Sequence, residues 1–282
     1  MSEIWKSILF GIVQGITEWF PISSTGHLIL LEEIMPLRFS KYFLDSFFVV
    51  IQSGSILAVL LLYFDKLWPF SRKKNSRKKR ETWALWFKII VASLPAAVVG
   101  LLFEEEINRY LYKSQVVALA LVVYGILFLI IEGRRNKPGV TRMDELRYST
   151  ALMIGIFQML ALIPGTSRSG ATILGAVILG CSRTIASEFS FLLAIPVMAG
   201  AGLLKLLKTG FDFSPLEWMV LLVGCLTAFL VSVVAVRSLL AYVRAHDFKV
   251  FGYYRIVLGF VVILYFWLSG HALSVAATVS GL

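Results

Sequence analysis

The chain has 282 residues, 58% of them hydrophobic and 16% charged, and its mean hydropathy is +0.82, whereas a soluble domain carries about 45–50% apolar and about 25% charged residues. So few charges could not cover the exterior of a soluble chain of this size, which excludes an ordinary soluble enzyme and makes lipid the expected solvent for most of the protein. The excess of 27 Lys and Arg over 17 Asp and Glu does not point to nucleic acid, because seven of the positive residues fall in one nine-residue run, Arg72 to Arg80. Beside an apolar segment, such a run reads as a cytoplasmic loop near anionic lipid.

In chain order, the apolar stretch from Met1 to Phe20 lacks a basic lead and is interrupted by Gln14 and Glu18, so it is expected to belong to the mature protein rather than to a cleaved signal. Six segments are then long and apolar enough to cross a hydrocarbon core of about 30 Å: Asp45–Phe64, Trp83–Phe103, Gln115–Ile131, Ile185–Leu204, Glu217–Val236 and Tyr254–Trp267. With the Arg72–Arg80 run inside, Glu104, Glu105 and Glu106 fall outside and Arg134, Arg135 and Lys137 return inside. A loop carrying Arg237, Arg244, Lys249 and Arg255 is also expected inside. Parity then requires two further apolar regions, Ile4–Met35 and Tyr148–Arg183, each to enter and leave the membrane on one side, the first from outside and the second from inside. Cys181 and Cys225 are far apart in apolar surroundings and read as packing residues.

The two re-entrant candidates resemble each other. One reads G-I-V-Q-G-I-T-E-W-F-P-I-S-S-T-G-H and the other G-I-F-Q-M-L-A-L-I-P-G-T-S-R-S-G-A; an offset of 143 residues carries Pro21 and Ser24 onto Pro164 and Ser167, Asp45 onto Glu188, and Phe48 onto Phe191. Each half, 1–141 and 142–282 of a single membrane domain, holds one re-entrant region and three spans. The odd number of spans makes the halves an inverted repeat. The expected fold is thus all-α, with six transmembrane helices and two re-entrant helix-loop-helix regions, and a working site where the two broken elements meet.

The tips carry the chemistry. Glu18 in the first and Arg168 in the second are charges at membrane depth, where charge marks function or a structural ion pair. Pro164-Gly165-Thr166-Ser167-Arg168-Ser169-Gly170, leading into an apolar helix with Thr172, reads as a phosphate cradle: a helix N-terminus, hydroxyl donors and a guanidinium that grips two oxygens. The first tip supplies Ser23, Ser24, Thr25, Gly26 and His27. Either Ser24 or His27 is the expected nucleophile, with His27 as base for Ser24 in the first case and Ser24 as an oxyanion donor in the second. Glu18 is expected to orient His27, hold a divalent cation or move a proton, with Gln14 four residues earlier on the same helical face as a weak ligand. Ser23 and Thr25 read as oxyanion donors or caps.

The pattern Gln14-Gly15-Ile16-Thr17-Glu18 followed by P-x-S-S-T-G-H, the run P-G-x-S-R-S-x-x-T from Pro164 to Thr172, and F-S-F-L-L-A-x-P from Phe189 to Pro196 resemble the bacitracin-resistance type undecaprenyl-diphosphate phosphatases. The resemblance covers most of the chain. It implies a multi-pass enzyme of the bacterial cell membrane that removes the terminal phosphate of undecaprenyl diphosphate, recycling the lipid carrier for cell-wall polymers. It further implies an active site on the outer side, dependence on Mg²⁺ or Ca²⁺, a homodimer, and functional roles for Glu18, Ser24, His27, Ser167, Arg168 and Thr172. Gln14 occupies a position where the family has Glu or Gln, so a mechanism needing two carboxylates there does not carry over. The rival readings are a secondary transporter or lipid flippase, which would need no nucleophile, and a structural membrane protein with a buried ion pair.

Overall fold

The computed structural model describes residues 2–111, 113–133, 137–210 and 212–269, so Arg134, Arg135 and His271 lie outside the described residues. Those residues form helices and no strand, with one isolated bridge between Val140 and Cys181. Six helices are long and apolar enough to cross a membrane: α3 (Lys41–Leu62), α5 (Ser76–Leu102), α7 (Ser114–Gly133), α10 (Arg183–Thr209), α11 (Pro215–Ala245) and α12 (Lys249–Ser269). By that measure the chain is a multi-pass membrane protein. The shorter helices are α1 (Ser2–Thr17), α2 (Ser24–Ile34), α4 (Phe64–Leu67), α6 (Glu104–Leu111), α8 (Tyr148–Met159) and α9 (Arg168–Ile178). Leu57, Leu61, Leu222, Leu226, Val234, Phe260 and Leu264 are exposed on the outer surface of the bundle. In water such a surface would be a large apolar patch; against acyl chains it is matched to its solvent.

Polar side chains set the helix starts earlier than hydropathy does. Ser40 accepts from the Phe43 amide, Asn75 from Lys78, Ser182 from Ile185 and Ser214 from Glu217, each satisfying an amide that the helix leaves open. The basic run is therefore only partly a loop, since Arg77 to Arg80 form the first turn of α5. Likewise α11 runs 31 residues, about 46 Å at 1.5 Å per residue, and carries Arg237 and Arg244 on its extension.

Arg255 corrects the sequence reading more deeply. It is not in a loop but in α12, with no exposed surface. An arginine at the edge of an apolar segment looks like a flank; its partners here are backbone carbonyls 89 to 234 residues away, which local patterning does not reveal.

Close backbone approach assembles the bundle. In α1, Gly11 and Gly15 face α11, where an added Cβ would lie 2.6 Å from the Gly224 oxygen and 2.8 Å from the Ala228 oxygen, the small-xxx-small contact of membrane helices. In α8, Gly155 meets the Ala92 carbonyl of α5 in the same way. Helices α3 and α10 cross in contact and exchange ion pairs: Asp45 of α3 with Lys205 of α10 at 3.6 Å, and Glu188 of α10 with Lys66 of α4 at 2.7 Å. Helices α7 and α12 pack along each other.

Two chain breaks interrupt this regularity, between α1 and α2 and between α8 and α9. The residues that restart the helices, Ser23 and Ser167, have φ of 76° and 72° and are the only non-glycine residues with positive φ among those described. Each hydroxyl accepts from the amide three residues on, Gly26 at 3.4 Å and Gly170 at 3.2 Å. The two restarts thus correspond at an offset of 144, pairing Ser23 rather than Ser24 with Ser167. Relative to the first break, the second has one residue fewer between Gln158 and Pro164 and one more between Pro164 and Ser167, where Gly165 takes φ +89°.

Replacing Gly11 with leucine should wedge α1 from α11. The expected cost is about 1–3 kcal/mol, read as a lower melting temperature of the detergent-purified protein, while alanine at exposed Leu226 should leave it nearly unchanged.

Candidate active site at the two helix breaks

The breaks meet, and three sets of bonds join them. Arg168 Nη2 donates to Glu18 Oε1 at 2.9 Å, with side-chain exposures of 12% and 7%. Ser169 Oγ donates to the carbonyls of Glu18 at 3.2 Å and Phe20 at 3.4 Å. Arg255 donates through Nη1 to the Pro21 carbonyl at 3.2 Å and through Nη2 to the Gly165 and Thr166 carbonyls at 2.8 and 2.9 Å, its guanidinium lying 5.4 Å above the Tyr124 ring. A buried cation is tolerated only with such partners.

Glu18 organises the first break. Its Oε2 accepts from Ser24 Oγ at 3.1 Å and Gln14 Nε2 at 3.0 Å, while Oε1 takes Arg168. Gln14 is fully buried, and its Oε1 has no partner. Arg168, the first residue of α9, also donates through Nη1 to the Ser190 carbonyl at 2.8 Å and stacks over Trp19 at 5.6 Å, leaving its buried Nε unpaired.

A cleft of about 120 Å³ opens beside these groups, with Glu18, Ser24, Thr25, Gly165, Ser167 and Arg168 on its polar side. Gln52 of α3 and Gln158 of α8 add neutral polar groups, and Ala96, Leu162, Val197 and Met198 form an apolar wall. The cleft therefore combines a hydroxyl bonded to a carboxylate, a guanidinium and a helix N-terminus, a set suited to a phosphate ester or anhydride.

The remaining sequence-derived candidates sit elsewhere. Ser23 and Ser169 are buried, Ser23 capping α2 and Ser169 tying the breaks together. Thr172 is buried and bonds to the Arg168 carbonyl at 2.8 Å and Ser190 Oγ at 2.7 Å, so it supports Arg168 from behind. Thr166 is buried, and Gly170 packs with an added Cβ only 3.1 Å from Arg255. His27 does not pair with Glu18. Its Nδ1 meets the Ser23 carbonyl and its Nε2 the Tyr254 hydroxyl, both at 2.7 Å, and its ring stacks on Tyr254. Because a carbonyl only accepts, Nδ1 carries the proton and the neutral ring accepts from Tyr254 at Nε2. The expectation that Glu18 orients His27 is overturned by this geometry: Glu18 turns to Ser24 and Arg168 instead.

The family model described as "Bacitracin resistance protein BacA" matches residues 7–261. This chain belongs to the BacA family. It is 56% identical to the protein named "Undecaprenyl-diphosphatase 1" of Clostridioides difficile, over 95% of this chain and 98% of that one. It is also 54% identical to "Undecaprenyl-diphosphatase" of Acetivibrio thermocellus, over 94% and 98%, and 53% identical to the protein of that name from Enterococcus faecalis, over 95% and 98%.

Sequence reasoning about this BacA-family chain passed over Arg255, Gln158, Gln52, Tyr254 and Ser190. For Arg255 a signal existed, since it follows the apolar-aromatic run Val250 to Tyr254. Gln158 occurs in the quoted repeat itself, 144 residues after Gln14. Ser190 lies in the quoted F-S-F-L-L-A-x-P run and Tyr254 directly precedes Arg255, but neither position reveals a role that arises only from contacts with Arg168 and His27.

Removing one partner of the Glu18–Arg168 pair should cost more stability than removing both. Glu18→Leu alone is expected to lower stability by about 3–5 kcal/mol, and adding Arg168→Met to recover much of that loss. Denaturation of the four proteins of the cycle measures the coupling.

Proposed function

We propose that this chain is an undecaprenyl-diphosphatase that hydrolyses the terminal phosphate of the lipid diphosphate and returns the monophosphate carrier to cell-wall synthesis. The observation that carries the reading is the Ser24 hydroxyl bonded to the Glu18 carboxylate in a cleft that also holds Arg168. The names of the relatives and the extent of the match support it.

Ser24 is the nucleophile in this reading, and Glu18 its base. An incoming diphosphate competes with Glu18 for the Arg168 guanidinium, which frees the carboxylate to take the Ser24 proton. Ser24 Oγ then forms a bond to the terminal phosphorus as the bridging P–O bond breaks, and Glu18 passes its proton to the departing lipid phosphate. Water then attacks the phosphoserine as Glu18 takes its proton, the Ser24 Oγ–P bond breaks with that proton passed to Ser24 Oγ, and inorganic phosphate is released. Arg168, Ser167, Thr25 and the open amides of the α9 start stabilise the equatorial oxygens as charge develops on them. His27 positions the first break through Ser23 and Tyr254 rather than attacking. The prenyl chain leaves along the apolar wall toward the lipid-exposed helix faces.

A divalent cation, Mg²⁺ or Ca²⁺, fits this donor set. No three acidic, histidine or cysteine side chains form a cluster among the described residues, while the Glu18 carboxylate and the Ser24 hydroxyl are bonded at the cleft and the Gln14 amide lies against that carboxylate with its Oε1 unpaired. A hard cation held by one carboxylate and completed by substrate phosphate oxygens matches them. When bound, it would neutralise the diphosphate and polarise its terminal phosphoryl group.

In the same reading the breaks are the tips of two re-entrant regions and the halves form an inverted repeat. Three correspondences support this: α1 packs on α11 as α8 packs on α5, Ser23 matches Ser167, and the matched carboxylates Asp45 and Glu188 each pair with a lysine, Lys205 and Lys66. Lys66, Lys74, Lys88 and Arg142 gather at one end of the bundle; with that end inside, the first tip enters from outside and the cleft serves the outer leaflet.

Phosphate release from undecaprenyl diphosphate by the detergent-purified protein tests the reading. Wild type should turn over with Mg²⁺ or Ca²⁺ and stop with excess chelator. Ser24→Ala should lose on the order of a thousand-fold or more in kcat, Arg168→Ala on the order of 10²–10³, and His27→Ala should retain measurable turnover. Full activity of Ser24→Ala would transfer the nucleophile's role to another residue.

A further inference from the structure

Buried polar groups in proteins are nearly all hydrogen-bonded, and an exception calls for an explanation, a water, an ion or a ligand among them. Among the described residues, Gln158 is the one side chain with two such exceptions: it is 1% exposed, and neither Nε2 nor Oε1 has a partner. It lines the cleft with Glu18, Ser24, Ser167 and Arg168.

The correspondence of the halves explains why this amide is open. At an offset of 144, Gln158 matches Gln14 and Leu162 matches Glu18. Gln14 spends its N–H on Glu18 at i+4, whereas four residues after Gln158 there is only an apolar side chain. Gly155, one turn earlier in α8, is seated against the Ala92 carbonyl of α5, which fixes the rotation of the helix that carries Gln158.

Resting on the reading above, we propose that Gln158 is a substrate-binding residue whose amide N–H donates to the phosphate that remains on the lipid, while Glu18, Ser24 and Arg168 act on the terminal phosphorus. Ala161 and Leu162 follow Gln158 at i+3 and i+4, which places them on its helical face, and both line the apolar part of the cleft. The donor therefore stands where the apolar chain must join its headgroup. A neutral amide suits this place: it holds the leaving monophosphate through a hydrogen bond without opposing its release with a full charge.

The test uses the full-length protein with Gln158→Leu, of similar volume and lacking polar atoms, and with Gln158→Glu, which adds repulsion. The readouts are kcat and KM for undecaprenyl diphosphate, the Kd of a methylene-bridged prenyl diphosphonate, inhibition by inorganic phosphate, and melting temperature. For Gln158→Leu, Kd and KM should rise on the order of ten- to a hundred-fold, with kcat nearly constant, phosphate inhibition unchanged and melting temperature undiminished. Gln158→Glu should bind the diphosphonate more weakly still. Wild-type affinity in Gln158→Leu would overturn the proposal, as would a parallel loss of phosphate inhibition, which would move Gln158 to the terminal phosphate. A fall in melting temperature and kcat without a change in Kd would make it a packing residue. A wild type that binds the diphosphonate through Gln158 but releases no phosphate would defeat the enzymatic reading alone, and one that binds no diphosphonate would defeat this inference.

Discussion

Two stretches of irregular backbone are buried inside an apolar helix bundle, and the guanidinium groups that close over them are the constraint on which the site depends. A chain that leaves the helix loses its internal hydrogen bonds, and lipid offers no replacement. Arg255 answers for the carbonyls of Pro21, Gly165 and Thr166, while Arg168 anchors the second break to the Ser190 carbonyl of α10 and joins Glu18 across the junction. Neither cation could remain buried without these acceptors, and neither break could hold its shape without the cations. Strain at Ser23 and Ser167, of order 1–3 kcal/mol each, persists because the surroundings fix both residues.

That mutual dependence shapes what the cleft can do. The Glu18–Arg168 pair fastens the two breaks and also presents a carboxylate and a guanidinium to one small volume beside Ser24. An anionic ligand that draws Arg168 away changes the partners of Glu18 at the same moment. The same contact can thus serve as a structural tie before binding and as separate base and anchor groups in the proposed reaction. The supports behind it are arranged for retention: Thr172 holds the Arg168 carbonyl and Ser190 its guanidinium, and His27, bonded to Tyr254, holds the Ser23 carbonyl.

Similar packing of the two halves gives dissimilar chemistry. Gly11 and Gly155 seat equivalent helices, and Ser23 and Ser167 cap equivalent restarts. Yet Gln14 has a carboxylate one turn on, where Gln158 has Leu162. In the proposed reaction one break then supplies the reactive set and the other the anion cradle. The difference lies in single side chains on two similarly built helix breaks, whose equivalence the motif comparison misplaced by one residue at Ser24.

Composition, hydropathy and charge determined the class of protein, the six long helices and the two polar stretches where helices break, because a lipid solvent imposes length and apolarity on every crossing segment and leaves polar runs conspicuous. They also marked Glu18, Ser24, Ser167 and Arg168, since charge and clustered hydroxyls are costly at such depth. Helix starts were less legible, as Ser40, Asn75 and Ser182 begin helices inside stretches whose hydropathy reads as flank. Only the tertiary structure decided the partners. It gave Glu18 to Ser24 and Arg168 instead of His27, drew Arg255 from an apparent loop into the centre, and left Gln158 open to the cleft. Each of these is a contact between residues brought together by packing rather than by spacing, and hydrogen-bond geometry across such a junction has no signature in the order of the chain.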